Sequence, residues 1–293
     1  EAGQQAGCAV VALDLFGDQD TQRACTQWLP IGDPASMRID GPRLLAALAE
    51  LARRGDVSGW IAGSGFEGQI DVLERGAALL PLIGTAPADV QRVRDPKVFF
   101  ACLDEHGIAH PPVQYAAPVD PGGWLAKDGG GCGGWQVRAA SSLVEPLPRG
   151  VYFQRQVPGL PMSATFVANG HDACVLGVNR QIVKRFGVHP FVFCGVVGPL
   201  VLGPALAQEI GSVVRTLAAA FGLRGLGSLD FMLDGEHIAV LEVNPRPPAS
   251  LALYLDRAPM QAHLQACLHG ELPTPAAHRA GPVQGSEIVF ARR

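Results

Sequence analysis

Lysine is nearly absent from this chain. Among 293 residues there are 20 arginines but only three lysines, Lys97, Lys127 and Lys184. A composition that fills ordinary positive positions with arginine leaves its lysines as candidates for tight sites, where a compact ammonium meets phosphate oxygens and a guanidinium fork would not fit. Other absences exclude whole classes of function. No Lys/Arg-rich block occurs and the net charge is −4, so there is no electrostatic footprint for nucleic acid or for an anionic membrane. The longest uncharged apolar run, 191–207, is interrupted by Gly195, Gly198, Pro199, Gly203 and Pro204, a pattern of strands and turns instead of a membrane-spanning helix. The seven cysteines are odd in number and form no C-x-x-C pair, which predicts reduced thiols and a cytoplasmic protein. The eight histidines show no H-E-x-x-H or comparable zinc spacing.

What is present is a globular composition, 48% hydrophobic and 17% charged, with enough chain for two or three lobes that have cores of their own. EAGQQAG at the start reads as the tail of a helix closed by Gly7, and a strand and loop are expected to precede Glu1 in the full gene product. From 8 to about 94, strands and helices alternate: strand 8–16, helix 42–55, strand 57–64, helix 70–80 and a short strand at 81–84. Alternation over such short connections predicts a parallel βαβ layout. Functional loops in such sheets lie beyond the carboxyl ends of the strands, which puts Asp14 and Glu67 on one rim. Glu67 could hold a substrate amine, although an acid near a helix start more often serves the helix dipole.

Three features in the rest of the chain carry chemistry. In LEVNPRPPASL, 241–251, an apolar strand ends with Glu242 and Asn244 on one face, because strand side chains alternate. Proline then stops the ladder. The preceding strand SLDFMLDGEHIAVLEVN is a hairpin, and Asp230 shares the face of Glu242 only if the pairing parity is right. A three-residue turn with Gly235 left-handed achieves this, and a two-residue turn without a bulge does not; the three-residue form is expected. The second feature is KDGGGCGGW, 127–135, in which five of the residues 129–134 are glycines. Backbone N–H groups in such a loop can wrap an anion where any Cβ would obstruct. Gly129, Gly131 and Gly134 match G-x-G-x-x-G formally, but strand-like WQVR comes next, not the helix a dinucleotide fingerprint needs, and a Walker A motif is excluded because no G-K-[ST] is present. A plain hairpin tip is the competing reading. The third feature is the placement of the lysines: Lys97 opens the second segment, Lys127 enters the glycine loop and Lys184 comes after the NRQ turn.

DPK, then AKDGGGCGG, then VYFQRQVPG, then SLDFMLDGEHIAVLEVNPRP resembles, in order and spacing, the ATP-grasp superfamily of carboxylate-amine ligases over residues 95 to about 255. The segment before it resembles the Rossmann-like domain that precedes the grasp. The resemblance implies an α/β unit, 1–94, followed by an α+β ATP-grasp unit, 95–293, divided into a first subdomain with the glycine-rich lid, 95–157, and a second with the metal site, 158–293. It further implies that Lys97 and Lys127 hold ATP phosphates, with Gly130, Gly131, Gly133 and Gly134 in the lid. Gln154 and the backbone at Gln156 and Val157 would face adenine. Asp230, Glu242 and Asn244 would bind two Mg²⁺ ions, with Mn²⁺ as an alternative, and Arg246 and Lys184 would act on the transferred group. Asp14, Glu67 and Arg180 are substrate candidates. The carboxylate that often holds ribose after the linker glycine is missing, since Gly159 leads into Leu160-Pro161-Met162.

NRQ at 179–181 together with the later FVFCGVVGP is similar to the branch that includes tyramine–glutamate ligases of methanofuran-type cofactor synthesis. The implied partners are a small-molecule carboxylate and an amine, and the implied assembly is a homodimer. A nicotinamide oxidoreductase and a non-catalytic nucleotide sensor remain the alternatives.

Overall fold

The protein is described by a computed structural model that covers residues 1–35, 37–143, 147, 150–274 and 282–288. The end of the expected second subdomain, 289–293, lies outside the described residues. In the first segment, Val11–Asp14 pairs in parallel with Gln27–Pro30. The 57–64 stretch forms only a parallel bridge, Trp60 to Leu82. The expected continuous parallel sheet is therefore reduced, among the described residues, to one two-stranded ladder and this bridge. Ser58, Gly59, Gly63 and Ser64 punctuate the stretch and have poor strand preference.

The helices agree closely with the sequence. Gly41–Arg54 begins where the Asp40 carboxylate accepts the Arg43 N–H and ends at Gly55, left-handed at φ 72°. These are a side-chain N-cap and a glycine C-cap. Its apolar stripe, Leu44, Leu45 and Leu48, packs with Val72 and Leu73 of the Ile70–Leu79 helix and with Ile31, Trp60 and Phe66.

The remainder is built on two antiparallel sheets. The smaller, four-stranded sheet runs in the order Val113–Gln114, Val151–Arg155, Trp124–Asp128, Arg138–Ala139. The larger runs in the order His237–Asn244, Arg224–Asp234, Leu160–Asn169, Ala173–Phe186, His189–Leu200, Gln284–Glu287. Alternation gives this larger sheet two different faces. One carries Ala164, Phe166, Leu229, Phe231 and Val243, buried against the helices Pro96–Glu105 and Pro204–Phe221. The other changes character along its length. At one end Val167 and Leu226 lie beneath the 3₁₀ segment Ala249–Arg257 and the helix Pro259–His269, with Leu253, Tyr254 and Ala266. Further along, the same face carries Thr165 opposite Ser228 opposite Asn244, then Ser163 opposite Asp230 opposite Glu242.

The hairpin reaches this register by a route other than the expected three-residue turn. Asp234 pairs with His237, so the turn has two residues, Gly235 and Glu236, with Gly235 at φ 60°. Such a turn alone would put Asp230 and Glu242 on opposite faces. A β-bulge corrects the parity: Phe231 pairs with Val240 but Asp230 with Glu242, leaving Leu241 as the extra residue.

Thr85 and His263 are among the residues that tie the first segment to the larger sheet. Thr85 Oγ1 accepts the Arg224 N–H at 3.0 Å and donates to the Arg224 carbonyl at 3.2 Å. His263 Nδ1 lies 2.8 Å from the Leu226 nitrogen and Nε2 lies 3.0 Å from the Ile83 carbonyl. An N–H can only donate and a carbonyl only accept, so His263 is neutral with its proton on Nε2. Glycine is required beside it: Gly225 sits at φ 78°, and a Cβ there would fall 2.4 Å from the His263 ring.

Candidate functional site

The polar end of the larger sheet forms the floor of the site. Asn244 Nδ2 donates to Asp230 Oδ2 at 3.2 Å and to Ser228 Oγ at 3.3 Å, while Arg246 Nη2 reaches Asn244 Oδ1 at 3.5 Å. The Gln181 amide, on the next strand but one, pulls the Asp230 carboxyl down. Two carboxylates placed opposite one another repel. Burial first, and the Glu242 charge second, push the Asp230 carboxyl up to about 7. Burial pushes Glu242 the same way, but Arg94, Lys127 and Arg246 outweigh it and hold Glu242 below the usual carboxylate range. The pair thus shares its surroundings unequally: the cations crowd Glu242.

Lys127 supplies the opposing wall. It is buried, and its ammonium donates to Gln154 Oε1 at 3.1 Å. Burial pushes its pKa down, yet Tyr152 and Glu242 outweigh that, so it stays a cation. Gln154 is itself buried, and its Nε2 has no partner. A buried ammonium beside an orphaned amide donor fits an anionic group bearing acceptors.

The glycine loop is docked between these walls. Arg94 Nη2 donates to the carbonyls of Gly129 at 2.9 Å and Gly131 at 3.0 Å, and Nη1 pairs with Glu242 Oε2 at 3.3 Å. The Gly133 carbonyl accepts the Phe193 N–H at 3.0 Å. At Gly134, φ is 81° and a Cβ would fall 1.9 Å from the Phe191 carbonyl oxygen. A Cβ on Gly130 would approach Gly68 Cα to 3.1 Å. The loop is not a nicotinamide fingerprint, since it leads into the strand Arg138–Ala139 and not into a helix.

Of the remaining sequence candidates, Arg246 and Glu67 stand together beside Asn244, and the others are dispersed. Arg246 Nε pairs with Glu67 Oε1 at 2.6 Å, and Glu67 also accepts the Gly65 N–H at 2.7 Å. Glu67 is buried and precedes the Ile70–Leu79 helix, so it does not serve that helix's first turn, where Asp71 stands. Burial pushes its carboxyl up, but Arg246 outweighs that and keeps it ionised. Asp14 accepts the Phe16 and Gly17 N–H groups at 3.1 and 2.8 Å, shaping its own turn. Lys97 is exposed, 5.4 Å over the Tyr115 ring. Lys184 is half-exposed and pairs with Glu287. Arg180 is exposed and, by alternation, on the face opposite Asn179 and Gln181. The Gln156 N–H is taken by the Gly123 carbonyl at 2.9 Å, and Val157 is half-buried.

Sequence reading missed Arg94, Gln181, Ser163 and Ser228. For the two serines the signal was available, since strict alternation places them in phase with Asp230. For Arg94 there was none: it is one arginine among 20.

The donors suit a hard divalent cation. Asp230, Glu242 and Asn244 offer oxygen on one face, and among the described residues no group of three or more His, Cys, Asp or Glu makes a softer site.

Two antiparallel sheets that bring a buried lysine and a glycine loop up to paired carboxylates define a clamp for a polyanion and its counter-cations. The chain belongs to the ATP-grasp family, whose ATP-grasp domain matches residues 96–250. The C-terminal section of the carbamoyl phosphate synthase large chain of Aquifex aeolicus is 24% identical over 186 residues, 56% of this chain and 34% of that protein. This chain thus spans about a third of the length of that curated relative. Among solved structures, a biotin carboxylase complex with β,γ-ATP from Campylobacter jejuni superposes with a TM-score of 0.73 at 14% identity, over 93% of this chain and 68% of that one. An L-amino acid ligase from Bacillus licheniformis superposes with a TM-score of 0.69 at 16% identity, over 100% of this chain and 76% of that one.

Proposed function

We propose that this protein is an ATP- and Mg²⁺-dependent ligase that activates a small-molecule carboxylate as an acylphosphate and joins it to an amine. The observation that carries this reading is the register that sets Asp230 opposite Glu242, with Asn244 next on the same face and Lys127 within electrostatic reach. In this reading residues 1–94 form a reduced Rossmann-like unit, 95–157 the first grasp subdomain with its lid, and 158–293 the second with the metal site.

Asp230, Glu242 and Asn244 would hold two Mg²⁺ ions, or Mn²⁺ in their place, and those ions would neutralise the β- and γ-phosphates during in-line transfer. Lys127 and the glycine loop bind phosphate oxygens, and Gln154 offers its free Nε2 donor to the nucleotide. Lys97, exposed at the start of its helix, joins only if its side chain leaves Tyr115. The substrate carboxylate oxygen attacks the γ-phosphorus and ADP leaves. The amine nitrogen then attacks the acyl carbon, and phosphate leaves as the nitrogen loses its proton.

Arg246 stands beside the transferred phosphoryl group, steered by Glu67. Both line a small cavity of about 30 Å³ together with Ile83, Thr85 and His263, where the acceptor amine would approach. The exposed Arg180 and Lys184 and the turn-forming Asp14 receive no role. Holding three reactants together can contribute ~7–11 kcal/mol, and a docked lid keeps water from the acylphosphate. All seven cysteines are free in the structure, which supports a cytoplasmic setting, and a homodimer is the proposed assembly.

The test is a substrate screen that monitors ADP release with Mg²⁺, pairing amino acids with aromatic amines. ADP is expected only when a carboxylate and an amine are both present. Nucleotide binding without ADP release under every pairing would favour a sensor, and an NADH-specific fluorescence change would favour an oxidoreductase. Glu242→Gln should lower turnover by a factor on the order of 10²–10³ while the far-ultraviolet circular dichroism is unchanged; near-normal activity would remove the metal assignment.

A further inference from the structure

Arg94 ends the helix Pro87–Arg94 and is buried at 7% side-chain exposure. Its guanidinium touches parts of the chain far apart in sequence. Nη1 meets Glu242 Oε2 at 3.3 Å and the Val243 carbonyl at 3.4 Å on the hairpin, and Nη2 meets the Gly129 and Gly131 carbonyls at 2.9 and 3.0 Å on the loop. Nε is buried with no partner. A guanidinium cannot shed its proton, so burying it needs compensating acceptors, and here Glu242 is the carboxylate it pairs with. A planar fork can serve two elements at fixed geometry, which a lysine ammonium on a flexible stem cannot reproduce.

We infer that Arg94 is a positioning residue that couples the glycine loop to the acidic hairpin, holding the loop carbonyls and Glu242 with one guanidinium so that loop position and charge at Glu242 are set together. The peptide unit is planar and trans, so fixing the carbonyls of Gly129 and Gly131 also fixes the N–H groups of Gly130 and Cys132 on the opposite edges of those peptides. The Gly130 N–H is then taken by Asp128 Oδ1 at 2.9 Å. The loop is thereby ordered by the protein's own side chains, which lowers the entropy lost when it closes on an anion. This inference rests on the ligase reading for its purpose, though not for its geometry.

The experiment is hydrogen–deuterium exchange of the full chain without nucleotide, comparing wild type with Arg94→Gln and Arg94→Lys. Losing hydrogen bonds from a charged donor should raise exchange across 128–136 by about tenfold or more in Arg94→Gln, with peptides of the Pro204–Phe221 helix unchanged. Arg94→Lys keeps the charge, protecting the fold, and should still free the loop. In turnover, KM for MgATP should rise by a larger factor than kcat falls. Wild-type exchange of the loop in Arg94→Lys, or a uniform rise across the whole chain in both variants, would overturn the inference. Exchange is read without nucleotide, so a wild type that fails to bind MgATP would count against the ligase reading alone.

Discussion

Asp230 is placed at a cost to the fold. Burial and the facing Glu242 push its carboxyl up from an ordinary 3.8 to about 7. An acid whose folded pKa is raised contributes stability that is fully present below the unfolded value and is lost as pH rises through the folded one. At about pH 8 in metal-free buffer Asp230→Asn should therefore raise the unfolding free energy, on the order of a few kcal/mol. The urea midpoint checks this, and a destabilised variant would mean that Asp230 is held by its hydrogen bonds more than it is opposed by its neighbour. The same variant should lose any stabilisation by added Mg²⁺. Glu67 teaches a related point. An acid near a helix start looks like a dipole partner in one dimension, and only its burial against Arg246 distinguishes the two uses.

At the scale of elements, the glycine loop and the hairpin show two ways in which local chemistry and tertiary demand combine. Gly133 and Gly134 both have positive φ, 68° and 81°, so alanine at either costs about 1–2 kcal/mol in backbone strain. Only at Gly134 does the backbone of the His189–Leu200 strand fill the space of a Cβ, with Phe191 O 1.9 Å away; at Gly133 the nearest atom, in Trp135, is 3.5 Å away. Gly134→Ala should consequently undock the loop and raise KM for ATP by about tenfold or more, whereas Gly133→Ala should change it by less than about threefold. Equal effects would show that φ alone matters. In the hairpin, Asp-Gly-Glu reads as a three-residue turn, and the two-residue turn found there needs the Leu241 bulge to keep the acids in phase. A bulge has no compositional signature in this strand, which is why the sequence points to the right register through the wrong turn.

At the scale of the molecule, the first segment is locked to the larger sheet through neutral His263. Burial holds its imidazole below the ordinary 6.5, with the Ile83 carbonyl opposing but not cancelling the effect. A base whose folded pKa is depressed contributes stability present above the unfolded value and lost as pH falls through about 6.5 toward the folded one, since Nδ1 must then face the Leu226 N–H with a proton of its own. Between about pH 7.5 and 5.5 the wild type should lose more unfolding free energy than His263→Gln. Urea unfolding of both at the two pH values checks this, and parallel curves would show that the lock is insensitive to protonation. The cavity lined by Glu67, Thr85, Arg246 and His263 sits at this junction, so the pH that loosens the lock also loosens the proposed acceptor approach.

Caps, stripes and strand alternation were legible in the chain because they depend on neighbours within a few residues. Asp40 and Gly55 bound their helix, and Glu242 and Asn244 share a face, for reasons visible in one dimension. The order of lysine, glycine loop and acidic hairpin also marked the family before any coordinates. Which cation serves which acid was decided only in three dimensions. Arg94, and not Lys97, reaches Glu242, and Lys184 pairs with Glu287 away from Asp230 and Glu242. Electrostatic partners are chosen by distance through space, and a sequence records spacing only along the backbone, so the charges were readable and their pairing was not.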